Sequence, residues 1–119
     1  MSIKTFADLD VYNLSYTFAM DIFIVTKKFP SEEKYSLTDQ IRRSSRSVAV
    51  NIAEGWGKRI YPASFKRHLV DSNGSLEETK SWLQFSKDCT YITEEIYLPM
   101  TTKAESIGAK IWTLHNNWT

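Results

Sequence analysis

Arg42, Arg43 and Arg46 stand within five residues of one another, and no carboxylate occurs from Gln40 to Ala53. A guanidinium is planar, always charged and able to pair with phosphate or carboxylate through two parallel hydrogen bonds. Three of them without matching acids favour a polyanion or an acidic partner surface. Lys58, Arg59, Lys66 and Arg67 extend the run, and Glu54 is the one acid between Gln40 and His68. The whole chain carries a formal net charge of only +1. The middle of the sequence is therefore a basic block in an acidic setting.

Other side chains with chemical potential are sparse. Glu54 and Glu78 are the carboxylates best placed for an acid/base pair. The competing reading makes each an acceptor for neighbouring donors. His68 falls at the edge of a helix seam, and His115 is the other histidine. Cys89 is the single cysteine, so no internal disulfide or zinc spacing is available, and it reads as a small apolar residue near a helix end. There is no Glu-x-x-His pair of the di-iron type, nor a Gly-Lys-Ser/Thr phosphate loop. Gly55-Trp56-Gly57 is too short a glycine signal for a phosphate cradle. No enzyme, metal or cofactor is expected.

Helices must position these residues. Glycine (4) and proline (3) are scarce, which argues against a loop-rich or all-β chain. The first helix is predicted after Asp8 as N-cap. Leu9, Tyr12, Tyr16, Ala19, Phe23 and Thr26 form one stripe; Val11, Phe18, Ile22, Val25 and Phe29 form another beside it. Lys27 and Lys28 suit the negative end of the helix dipole, and Pro30 stops the helix. The second helix is predicted after Ser36, which with Asp39 resembles a capping box. Its seam is Leu37, Ile41, Ser44, Val48, Asn51 and Gly55, flanked by Ile52. Pro62 fits the first turn of a third helix with the seam Phe65, Leu69, Ser72, Leu76, Thr79 and Leu83. Gly74 lies within it, which close helix contact would reward. The fourth follows Thr93, with Met100, Ala104, Ile107, Ile111, Leu114 and Trp118; Pro99 predicts a kink or a later start. Short connections give an all-α, up-down-up-down antiparallel four-helix bundle, read as one domain over residues 1–119.

A helical wheel with Leu37 at zero places Arg42, Arg46 and Arg43 at about 140°, 180° and 240°, away from the seam. Ala49, Ala53, Gly57 and Val50 fall at about 120°, 160°, 200° and 220°. An outer face that is smooth and apolar predicts a subunit interface. Asn51 and Glu54 fall at the edge of the core, where an amide can fix helix register.

The run from Gln40 to Gly55, ending Asn51-Ile52-Ala53-Glu54-Gly55, resembles the signature of the four-helix-bundle proteins encoded in intervening sequences of large-subunit ribosomal RNA genes. That family is also labelled a small-subunit ribosomal protein family. Phe6-Ala7-Asp8-Leu9, Phe29-Pro30 with Glu33 and Tyr35, and Gly74-Ser75-Leu76-Glu77-Glu78 match as well, so the resemblance runs from Phe6 to about Leu83. It implies a ring-like homopentamer with no enzymatic activity, and marks Asn51, Glu54, Gly55, Gly74, Ser75 and Glu78 as structural signature residues. The chain is also similar to the accessory protein of diversity-generating retroelements. That similarity implies a pentameric barrel that binds nucleic acid through a basic surface and partners a reverse transcriptase. Arg46 stands where the family usually has a small or apolar residue, Asn73 where a basic one is common, and Lys80 where an acidic one is.

The sequence therefore predicts a non-enzymatic homo-oligomeric scaffold that binds RNA or DNA through Arg42, Arg43, Arg46, Lys58, Arg59, Lys66 and Arg67. The alternative is an adaptor for a protein such as a reverse transcriptase or a ribosome-associated partner. Met1-Ser2-Ile3-Lys4 opens no apolar signal region and the longest apolar stretch is broken by Asp21. A cytoplasmic protein that leaves membranes alone is expected.

Overall fold

The structure, a computed structural model, describes residues 2–119, so Met1 of the N-terminal segment lies outside it. Four helices account for most of it: α1 Asp10–Thr26, α2 Leu37–Gly57, α3 Pro62–Asp88 and α4 Glu94–Asn117. Two short 3-10 turns, Phe6–Asp8 and Ser31–Glu33, precede α1 and α2. There is no strand among the described residues. Each helix packs on the next, and α4 closes onto α1.

The contacts run antiparallel throughout. Rising positions in α2 meet falling positions in α3: Ser44 with Thr79, Ser47 with Ser75, Gly55 with Phe65. Asp10 pairs with Lys110 and Asp21 with Lys103, which sets α1 against α4 in opposite directions. Lys87 lies over the Tyr97 ring, at the turn from α3 into α4. This is the up-down-up-down bundle that the heptad spacing predicts.

The helix starts differ from expectation in their chemistry. Asp8 does not cap α1; its carboxylate accepts the N–H groups of Lys4 and Thr5 at 2.9 and 3.0 Å, which closes the preceding turn. Those two donors, Lys4 first, hold the Asp8 carboxyl below its ordinary value. At α2 the Ser36 side chain caps nothing, and the capping carboxylate is Glu33. Its Oε1 accepts both the Ser36 hydroxyl and the Leu37 N–H. Pro62 does open α3, as expected of a residue with no N–H to lose. Around Pro99 the helix start is not delayed: α4 begins at Glu94 and runs through the proline.

The core lies along the seams. Every residue of the predicted α3 seam is buried, from Phe65 to Leu83. Met100, Ala104, Ile107 and Ile111 of α4 meet them, and Trp118 stacks edge-on against Phe65 with ring centroids 4.7 Å apart. Each fully buried apolar side chain contributes about 1.5–3 kcal/mol relative to exposure. Both stripes of the first helix contribute to the core: Val11, Phe18 and Ile22 of one and Leu9, Ala19 and Thr26 of the other are buried, while Tyr16 points into solvent. Cys89 is exposed at the end of α3, which corrects its reading as an apolar residue.

The α2–α3 contact is made of small hydroxyl residues. Thr79 Oγ1 donates to Ser44 Oγ at 2.8 Å, Ser47 and Ser75 hydroxyls share a bond of 2.8 Å, and Ser72 Oγ donates to the Val48 carbonyl at 2.7 Å. Gly55 belongs to the same close approach. A Cβ built there would stand 2.8 Å from His68 Cβ and 3.0 Å from Phe65 Cδ1. Gly74 does not: nothing lies within 4 Å of its would-be Cβ. The close helix contact expected at Gly74 is absent.

Candidate nucleic-acid interface

The seven cations of the basic block divide between the two ends of α2. Arg42, Arg43 and Arg46 lie on its first half, near the end of α1. Lys58 and Arg59 follow its last turn, beside Lys66 and Arg67 in the first turns of α3. About 18 Å of helix separates Arg46 from Lys58.

Arg42 does not point freely outward, as the wheel predicts. Its Nε donates to Thr26 Oγ1 at 2.8 Å and a terminal nitrogen reaches the Phe23 carbonyl at 3.4 Å. A cation there satisfies the last carbonyls of α1 and opposes the negative end of its dipole. The Arg42 guanidinium also lies 4.7 Å from the centre of the Phe23 ring. Arg46, exposed, approaches the same ring at 5.7 Å, and Lys27 at 4.9 Å. Three cations thus rest on one half-buried phenyl. Among the described residues, no carboxylate pairs with Lys27, Arg42 or Arg46. Arg43 faces another way and is 4.0 Å from Asp39, a loose surface contact of little energetic weight.

The second group is tied to structure. The Arg59 guanidinium donates to the Trp56 carbonyl at 2.9 Å and lies 4.2 Å from the Trp56 ring, which closes α2. Lys58 Nζ is 3.1 Å from His68 Nε2, and His68 Nδ1 is 3.2 Å from Asn51 Oδ1. The Asn51 amide nitrogen donates to the Ser47 carbonyl at 3.0 Å, which leaves Oδ1 to face the histidine. His68 therefore donates from Nδ1 and accepts the lysine proton at Nε2. Asn51 bridges α2 and α3, and Ser75 extends the polar chain through Ser47. Lys66 is half-buried and Arg67 exposed.

The remaining positions fall as follows. Glu54 is exposed near the end of α2, and Glu78, also exposed, accepts the Trp82 indole N–H at 3.0 Å. Ten residues separate Glu54 from the level at which Glu78 stands, about 15 Å along the helix. They do not form an acid/base pair. Ala49 is only 5% exposed and belongs to the core, so it cannot serve an outer interface. Val50 is 53% exposed, Gly57 is exposed and Ala53 half-buried. The register that sets Phe23 beside Arg42 and Arg46 brings exposed Met20 and Tyr16 of α1 level with Val50 and Ala53. Sequence reasoning missed Phe23, Lys27 and Lys34 as neighbours of the arginines. The signal was present in the short turn at Pro30, which folds the end of α1 back on the start of α2.

Among the described residues no three His, Cys, Asp or Glu side chains gather as metal ligands do, and no helix is long and apolar enough to cross a membrane. These features define a class: an antiparallel four-helix bundle, zipped between α2 and α3 by hydroxyl residues, with a cationic corner between α1 and α2. The chain belongs to the 23S rRNA-intervening sequence protein family, whose profile matches residues 7–113. It is similar to a crystal structure of a protein of unknown function from the S23 ribosomal protein family of Bacteroides thetaiotaomicron VPI-5482. The two are 27% identical over 90% of this chain and 96% of that one, with a TM-score of 0.81. A comparison with curated proteins finds no match.

Proposed function

We propose that this chain is a non-enzymatic, cytoplasmic, homo-oligomeric scaffold that binds RNA or DNA through the α1–α2 corner. One observation carries the reading: Lys27, Arg42 and Arg46 converge on Phe23 with no carboxylate paired to them. Like charges held together repel, and a polyanion relieves that repulsion while releasing its own counterions. The family name, with its link to ribosomal RNA genes, is consistent with such a ligand. The exposed apolar strip of Tyr16, Met20 and Val50 supports assembly, and five subunits follow from resemblance alone.

The test is fluorescence anisotropy of a labelled structured RNA at two salt concentrations. Binding is expected to weaken steeply with salt. Lys27→Ala with Arg46→Ala should lower affinity and reduce the salt slope by about 1 per lost phosphate contact. Arg42→Ala is a poorer probe, because it also uncaps α1. Salt-independent binding, or binding unchanged in the double variant, would sink the proposal. A second reading, a protein adaptor, is favoured by a shallow cavity of about 460 Å³ between the start of α2 and the end of α3. Its rim carries Tyr35, Trp82 and Phe85, rings that suit a protein surface.

A further inference from the structure

We infer that the pocket between the end of α1, the Ser31–Glu33 turn and the start of α2 binds a phosphate group. The cavity measures about 310 Å³ and is lined by Lys27, Lys34, Arg42, Ser31 and Thr38. Three of these are cations, and among the described residues none of the three pairs with a carboxylate. Instead each rests on neutral groups: Lys27 over Phe23, Lys34 at 5.3 Å over Tyr35, Arg42 against Thr26 and Phe23.

The second observation is independent of charge. Thr38 is 7% exposed, and its Oγ1 is buried without any hydrogen-bond partner. Leaving a buried hydroxyl unpaired is costly, so a native site with one calls for an explanation. Thr38 lines this same cavity, and threonine in a helix divides between two χ1 positions. Thr38 is also the second residue of α2, where the helix dipole favours negative charge. An oxyanion in the cavity would accept from Thr38, Ser31 and the three cations together. No acid lines the cavity, and Glu33 of the adjoining turn is already engaged by Ser36, Leu37 and Tyr91.

This deepens the nucleic-acid reading and rests on it only for the source of the phosphate. The experiment is thermal unfolding of the full chain with increasing inorganic phosphate, at ionic strength matched with chloride, on wild type, Thr38→Val and Lys34→Gln. Wild type is expected to show a saturable rise in melting temperature. Thr38→Val should melt higher than wild type without phosphate, because the orphan hydroxyl is gone, and should bind phosphate about tenfold more weakly. Lys34→Gln, on an exposed side chain, should weaken phosphate binding without changing the basal melt. Equal phosphate stabilisation in all three proteins, or no saturable rise in wild type, would overturn the site. RNA anisotropy on the same proteins separates the sources. RNA affinity lowered by Thr38→Val assigns the pocket to a nucleic-acid phosphate. RNA affinity unchanged, with phosphate binding lost, assigns it to free phosphate and leaves the RNA reading on Arg46. Wild type that takes phosphate but no RNA keeps the pocket and ends that reading.

Discussion

Glu33 and Tyr91 are separated by 58 positions, yet Tyr91 Oη donates to Glu33 Oε2 at 2.9 Å. The contact latches the α1–α2 connection to the α3–α4 connection. The Ser36 hydroxyl, then Tyr91 and the Leu37 N–H, hold the Glu33 carboxyl below its ordinary value. The hydrogen bond to Glu33 pushes Tyr91 up from 10.0 to about 12. A group whose folded value is raised contributes stability that is present below the unfolded value and lost as pH rises through the folded one. Wild type should therefore lose stability between pH 10.0 and about 12, and Tyr91→Phe should lose less across that window, as read by chemical denaturation at each pH. Glu33 works in the opposite sense: its contribution is present above 4.5 and falls away in acid. An identical alkaline decline in both proteins would count against the latch. Nothing in the sequence announces this pair, because Glu33 reads as a loop acid and Tyr91 as a turn residue until the fold joins them.

At the scale of the helix, two glycines that look alike in sequence behave differently. Gly55→Ala must push His68 or Phe65 aside and should cost about 1–3 kcal/mol, as overpacking does. Gly74→Ala enters open space on an exposed helix face and should gain up to about 1 kcal/mol. Urea denaturation of both variants checks the contrast, and a Gly55→Ala protein as stable as wild type would refute it. The α3 seam was fully legible because its buried positions keep one heptad stripe from Phe65 through Leu83 to Ser86. The α2 wheel was legible only in part. It was centred on Leu37, but Thr38, Ser45, Ala49, Ile52 and Trp56 are buried too, since α2 packs on α1 as well as on α3. Two neighbours widen the buried arc and shift its centre by about half a turn's quadrant, toward α1. That shift is what takes Ala49 into the core and folds Arg42 against α1.

For the whole molecule, the basic block was visible as composition, but its division between the two ends of α2 was not. Proximity of Lys27 and Lys34 to the arginines depends on the chain reversal at Pro30, which no charge count contains. The exposed strip of Tyr16, Met20 and Val50 belongs to this scale as well. Wild type is expected to run as an assembly in light scattering, and Val50→Glu, which sets a charge in that strip, as a smaller species. An unchanged mass in Val50→Glu would place the contact elsewhere. The hydroxyl seam between α2 and α3 has one more consequence. Its bonds close on each other, from Ser44–Thr79 through Ser72–Val48 to Asn51–His68, and a slide of one helical turn would break all of them together. The two helices, joined by a short turn, therefore open as a single cooperative unit. Their central amides are expected to be the slowest to exchange with solvent, and the ends of α1 and α4 the fastest, in a hydrogen-exchange measurement.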